Sequence, residues 1–217
     1  MVRKRVGVTL VLAALAGAAF VVDRASAGFV TPPKSLPALP LTTQLAVDGT
    51  AHEPWGFTML CRRSPEICTD RAGRLVADGR GAVRLDHATL ALVERAHRLV
   101  NQAIRPQAEK AGAPDNWKVG GRSGDCEDYA LAKREMLIRL GLPSSALRMA
   151  TGHLRSGEYH AVLVVRTDRG DLVLDNLSRR VRTWDRSGIR FDTIQNGHDA
   201  RVWERVNLAG TAAPPTS

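Results

Sequence analysis

Aromatic residues and cysteines are scarce in this chain of 217 residues, which holds four Trp, two Tyr, four Phe and three Cys. So few aromatics cannot build the stacking platform that single-stranded nucleic acid needs, and the arginines are scattered along the sequence. No C-x-x-C or H-x-x-x-H pair occurs, which removes the common zinc spacings. G-x-S-x-G, Walker A and G-x-G-x-x-G runs are missing too, so no serine hydrolase, nucleotide or dinucleotide signature competes for the assignment. There is no internal repeat. After residue 22 no apolar run is long enough to span a bilayer.

The one long apolar run is at the start. Arg3, Lys4 and Arg5 precede an apolar stretch at 6–22, and Ala25-Ser26-Ala27 supplies a small-x-small cleavage pattern. These features predict a secretory signal peptide over 1–27, with an uncleaved anchor as the alternative. The expected mature chain is periplasmic or secreted and does not span the membrane. The formal charge is +9. Losing Arg3, Lys4, Arg5 and Arg24 together with Asp23 leaves 27 basic against 21 acidic residues, a net of +6. Export and the sparse aromatics argue against nucleic acid, so the surplus suits an acidic partner or the envelope surface.

Three cysteines in an exported chain leave one odd thiol if two pair. Cys61 and Cys68 are seven apart across a loop turned by Pro65, and are the disulfide candidates. The alternative is two buried free thiols. Either way Cys126 stays unpaired.

Residues 28–50, with four prolines between Thr31 and Pro40, read as an extended leader, and 51–217 as a single domain. Trp55 to Cys68 reads as a compact irregular segment. Asp86 caps a helix whose apolar positions recur at helical spacing as far as Pro106, with Glu94 and Arg98 on its outer face. A second helix opens at Asp125, buries a stripe of Tyr129, Ala132, Met136 and Leu140, and stops at Gly141 and Pro143. The period then changes to two. Leu147–Thr151, Tyr159–Thr167 and Leu172–Asp175 read as strands, with Val181–Trp184 and Arg201–Val206 as further ones. Helices followed by a meander predict an α+β fold with a helix packed on an antiparallel sheet.

The most informative stretch is Gly124-Asp125-Cys126-Glu127-Asp128-Tyr129-Ala130. A thiol on the first turn of a helix is favoured as thiolate by the helix dipole, while flanking carboxylates oppose that charge. The thiol therefore needs an imidazolium or a bound cation beside it. His160 opens one predicted strand and Asp175 closes the next. In that order, His160 would take the thiol proton and Asp175 would orient the ring. The Cys126 backbone N–H would face the oxyanion. A tight Arg169-Gly170 turn would set Asp175 opposite Val164, roughly 13 Å along from His160, so the pair would need a longer loop or a bulge. Against this stand plain readings: a structural strand histidine, an Asp175 that opens a turn, a buried small thiol, and His153 as a rival base.

Three segments carry a resemblance: Gly124 to Lys133, His160-Ala161-Val162-Leu163-Val164, and Leu172-Val173-Leu174-Asp175-Asn176-Leu177. Over about residues 50–205 the chain resembles the bacterial transglutaminase-like cysteine proteinases, whose best-known members are periplasmic proteases of the LapG type. The resemblance implies a papain/transglutaminase-like fold with Cys126, His160 and Asp175 as catalytic triad. It implies calcium near the cysteine, with Asp125 and Glu127 as ligands by motif position; capping the helix is the other role open to these acids. It further implies a surface adhesin or other envelope protein as substrate, and an inner-membrane cyclic-di-GMP receptor as partner. Here His160 is followed by alanine where methionine is typical, and the segment from Trp117 to Gly124 is short. An acyltransferase using the same triad, or a non-catalytic domain binding an adhesin or receptor, are the alternative functions.

Overall fold

The computed structural model describes residues 36–110 and 112–210; the predicted signal peptide at 1–27 and the first part of the leader, 28–35, lie outside them. The fold unit that begins at Ala38 is the one considered below. In chain order its elements are β1 (Val47–Ala51), α1 (Trp55–Arg63), α2 (His87–Ala103), β2 (Arg105–Pro106), β3 (Ser123–Gly124), α3 (Cys126–Arg139) and β4 (Leu147–His153). β5 (Tyr159–Thr167), β6 (Gly170–Leu174), β7 (Arg182–Thr183), β8 (Arg190–Gln195) and β9 (Trp203–Val206) follow. Seven strands form one antiparallel sheet in the order β1-β9-β8-β4-β5-β6-β7, and β2 and β3 make a small parallel ribbon. Among the described residues no helix is long and apolar enough to cross a membrane.

The central strands are buried on both faces, so β5 reads as a nearly continuous apolar run rather than a clean alternation. Met149, Leu163, Val165, Leu172 and Leu174 join the cluster that α1 and α3 share. Val162, Val164, Val173, Phe191 and Ile194 pack together on the opposite face with Leu45.

Helix α2 begins as its sequence predicts: the Asp86 carboxylate accepts from the Thr89 N–H at 2.8 Å. Helix α3 packs its predicted stripe and buries further faces besides. Tyr129, Ala132 and Met136 pack against Val100 of α2 and Ile104 just past its end. The sheet side is met by Ala130, Leu131 and Leu137. Lys133, Arg134 and Glu135 are buried between these faces, and Arg134 donates to the Leu147 and Ile67 carbonyls at 3.1 and 3.0 Å. A helix with internal partners for its charges shows little amphipathic signal, which is why one stripe covers only part of its buried surface.

Trp55 to Cys68 is not irregular. It forms α1 and a short 3₁₀ turn, and a disulfide joins Cys61 to Cys68 with the Cα atoms 5.7 Å apart. Phe57, Trp117 and Trp203 meet edge to face, with centroids 5.6–6.4 Å apart. Gly56 makes room for this, because a Cβ there would lie 2.2 Å from the Trp117 ring. Trp117 thus anchors the loop that leads to Cys126. Four strands, β1, β2, β3 and β8, were not expected from the sequence, and residues 42–51 are tied to the sheet: the Thr42 N–H bonds the Arg169 carbonyl and the Asp171 N–H the Thr43 carbonyl.

Candidate active site

Cys126 is the first residue of α3. Asp125 stands at the capping position but makes no capping hydrogen bond, so its side chain does not occupy the N–H groups of the first turn. The sulfur lies beside the start of β5. It accepts from the Ala161 N–H at 3.4 Å, and its own proton points to Glu127 Oε2 at 3.3 Å. Burial pushes the thiol up to about 12, with the Glu127 charge adding to the effect and the Ala161 N–H opposing it. At neutral pH the resting sulfur is therefore a thiol, and attack needs a base.

The histidine next to that sulfur contact is buried, at 3% exposure. His160 Nε2 lies 2.8 Å from Asp175 Oδ1. An ionised carboxylate only accepts, so Nε2 carries the proton and Nδ1 is left as the basic nitrogen. Asp175 also accepts from the Leu177 N–H at 2.9 Å. Its burial works to raise the carboxyl, but the bonds from His160 and Leu177 and the nearby Lys133 charge outweigh that and hold it below the usual carboxylate range.

The turn geometry differs from the sequence expectation. Thr167 pairs with Gly170, so Asp168 and Arg169 form the turn, and Leu163 stands opposite Leu174. Continued by one residue, this register sets Asp175 opposite Val162, only two residues from His160. A diagonal neighbour is about 7–8 Å away between backbones, which an imidazole and a carboxylate can close. No bulge is needed. The rival His153 is engaged elsewhere, with Nδ1 2.6 Å from Asp192 Oδ2.

On the other side of the sulfur is an acidic cluster. Glu109, Asp125 and Glu127 offer carboxylate oxygens that all lie within 4.8 Å of one another. Glu127 is 4% exposed, its Oε1 has no hydrogen-bond partner, and burial with the neighbouring Asp125 pushes it up to about 9. Asp128 plays a separate part: it accepts from the Lys118 backbone at 3.0 Å and ammonium at 2.7 Å, tying the preceding loop to α3. Gly124 is required there, since a Cβ would fall 2.1 Å from the Asp128 carboxylate.

Sequence reasoning missed two residues. Glu109 reaches the cluster because β2 and β3 pair, with the Gln107 N–H on the Gly124 carbonyl at 2.9 Å; no local pattern announces it. Lys133 is fully buried and donates to the Leu174 carbonyl at 3.0 Å, directly behind Asp175. Burial lowers it to about 7, while Asp175 opposes the shift.

Among solved structures, calcium-bound Legionella pneumophila LapG is 23% identical over 56% of this chain and 74% of its own, with a TM-score of 0.47. The EGTA-treated form of that protein is 22% identical over 58% and 70%, also with a TM-score of 0.47. A further LapG structure from the same organism is 25% identical over 50% and 65%, with a TM-score of 0.44. No curated protein matches the chain. The family model of the bacterial transglutaminase-like cysteine proteinases matches residues 47–211, a span that holds every site residue named above. The chain belongs to that family and is a transglutaminase-like cysteine peptidase.

Proposed function

We propose that the chain is a periplasmic cysteine endopeptidase that cuts an envelope protein, with Cys126 as nucleophile, His160 as base and acid, and Asp175 as the residue that orients His160. One observation carries the reading. The sulfur of Cys126 is held against the Ala161 N–H at 3.4 Å while the adjoining His160 is bonded to Asp175 at 2.8 Å.

The chemistry follows from those contacts. His160 Nδ1 takes the thiol proton as the sulfur attacks the scissile carbonyl, and Asp175 stabilises the imidazolium that forms. The Cys126 N–H at the uncapped start of α3 faces the developing oxyanion, where the helix dipole favours negative charge. His160 then protonates the leaving amine, and water hydrolyses the thioester on Cys126.

Glu109, Asp125 and Glu127 fit a calcium ion. All three offer hard oxygens, and the unpartnered Oε1 of Glu127 is a buried acceptor in need of a cation. Bound calcium would supply positive charge against the carboxylates beside the thiol. The Cys61–Cys68 disulfide suits an oxidising compartment. A surface adhesin as substrate and an inner-membrane cyclic-di-GMP receptor as regulator rest on the family resemblance.

The test compares the purified protein with Cys126→Ala on an adhesin fragment. Cleavage by the first and none by the second is expected. Identical treatment of the fragment by both contradicts the peptidase reading, and product that appears only with an added amine replaces hydrolysis with acyl transfer.

A further inference from the structure

Arginines that are dispersed in the sequence are brought together by the fold at the catalytic end of the sheet. The loop from β4 to β5 runs directly into His160, and the loop after β6 runs directly out of Asp175. Both loops border an open cleft of ≈ 680 Å³ whose wall includes Asp175 itself. Arg155 comes from the first loop; Arg179, Arg180, Arg182 and Arg186 come from the second loop and the strand and turn beyond it.

All five guanidinium groups are solvent-exposed, and none has an ion-pair partner among the described residues. The carboxylates on the wall are Asp175 and Asp185, and both are occupied: Asp175 by His160 and Asp185 by the Thr42 hydroxyl at 2.9 Å. Five arginines against two carboxylates leave a surplus of three positive charges beside the triad. Arg180, Arg182 and Arg186 also border an adjoining cavity of ≈ 480 Å³ along Ala38 to Leu41, so the basic band continues away from the site. Leu154 and Leu177 add apolar surface between the charges.

We propose that this cleft is the subsite for an acidic segment of the protein substrate, with its Asp and Glu side chains paired to these arginines on one side of the scissile bond. The inference rests on the triad reading for its location. The planar guanidinium grips a carboxylate bidentately, and arginine is the side chain suited to such recognition. An extended peptide points alternate side chains to one face, so an acidic-x-acidic pattern would set successive carboxylates on the arginine wall. The net positive charge of the cleft also steers an acidic chain toward it.

Binding is measured on the Cys126→Ala protein, so that it does not depend on cleavage. Two fluorescent 16-residue peptides are compared by anisotropy: one carries Asp or Glu at alternate positions, and the other Asn or Gln at the same positions. The acidic peptide is expected to bind at least tenfold more tightly at low salt, with the advantage shrinking as salt rises. Adding Arg180→Gln and Arg182→Gln should reduce that advantage to less than threefold while leaving the neutral peptide's affinity and the melting temperature unchanged. Equal affinity for the two peptides overturns the proposal. So does an advantage that survives these substitutions together with Arg155→Gln and Arg186→Gln, or a cleft that takes heparin but not the acidic peptide. Cleavage is scored separately with the unsubstituted protein. If it cuts no protein while the acidic preference holds, the peptidase reading fails and the subsite stands. If acidic and neutral flanks are cut with equal kcat/KM, the subsite fails and the peptidase reading stands.

Discussion

On the hairpin side of Cys126, His160, Asp175 and the Leu177 N–H are joined by bonds of 2.8 and 2.9 Å, whereas on the helix side Glu127 keeps a buried carboxylate oxygen with no partner. The Cys126 sulfur contacts Glu127 of the second cluster at 3.3 Å and, at 3.4 Å, the Ala161 N–H that follows His160 of the first. The first is completed by the chain itself: strand register delivers the acid to the imidazole, and the carboxylate is held ionised. The second is complete only when positive charge joins it, because three carboxylates within 4.8 Å repel one another and Glu127 is driven toward protonation. On the proposed function, the difference separates a pre-organised catalytic pair from a ligand site. The thiol, pushed up to about 12, is governed by its burial and by the Glu127 and Asp125 carboxylates of the second cluster, against the Ala161 N–H.

The largest expected effects come from breaking the paired side. Cys126→Ala removes the nucleophile and should abolish cleavage of a protein substrate. Asp175→Asn leaves the ring in place but takes away the charge that fixes its tautomer, and kcat should fall on the order of 10⁴-fold. Steady-state kinetics on the substituted proteins check this, with KM expected to change little. A KM effect without loss of kcat would mean that Asp175 serves substrate binding instead.

Breaking the unpaired side should act through calcium. At a calcium concentration of 100 times Kd, the ion should stabilise the protein by about 2.7 kcal/mol, read as a rise in melting temperature that a chelator reverses. Glu127→Gln should remove that rise and leave the chelated protein's melting temperature close to that of the parent. If the parent shows no calcium-dependent shift, the cluster does not hold calcium.

A change outside both clusters sharpens the contrast. Replacing Cys61 and Cys68 by serine opens an eight-residue loop, and loop-closure entropy puts the loss at about 2.5 kcal/mol. Thermal unfolding should show that loss, while the calcium-dependent shift stays as large as in the parent.

An effect spread over pH concerns His97, which packs behind the paired side with Nε2 3.0 Å from the Ser178 carbonyl. Burial lowers it to about 4, with Lys133 and Arg98 reinforcing the shift and Asp175 opposing it. A depressed histidine favours the folded state fully above its ordinary value near 6.5. That contribution is lost as pH falls from there toward 4, because the unfolded chain binds the proton first. His97→Gln should therefore flatten the fall in stability over this window by up to about 1.4 kcal/mol per pH unit, measured by denaturant unfolding at a series of pH values.

Much of this arrangement was legible in the sequence, and the parts that were not share a cause. Helix α2 showed itself through Asp86 and a regular apolar period. The proposed nucleophile, histidine and acid stood out as a thiol at a helix start and two residues bounding neighbouring strands. The error in register was two residues, which preserves parity, so the proposed partners were right while the expected gap was too long. Helix α1 was missed because Trp-Gly-Phe-Thr-Met-Leu-Cys-Arg-Arg follows a proline, holds a glycine and has no side-chain cap. Glu109 and the arginine cleft were invisible for a different reason: each is made by distant segments meeting, Glu109 through a two-residue ribbon and the arginines through loops at one end of the sheet. Patterns of one segment cannot report such meetings.

The most direct test of the central claim is the formation of a covalent acyl adduct, followed by intact-mass spectrometry after mixing with an activated amino-acid ester. The account predicts one acyl group per chain, located on Cys126, forming quickly in the parent, orders of magnitude more slowly in His160→Ala, and not at all in Cys126→Ala. Acylation of Cys126 at the same rate in His160→Ala, or no adduct on Cys126 in the parent, would contradict it.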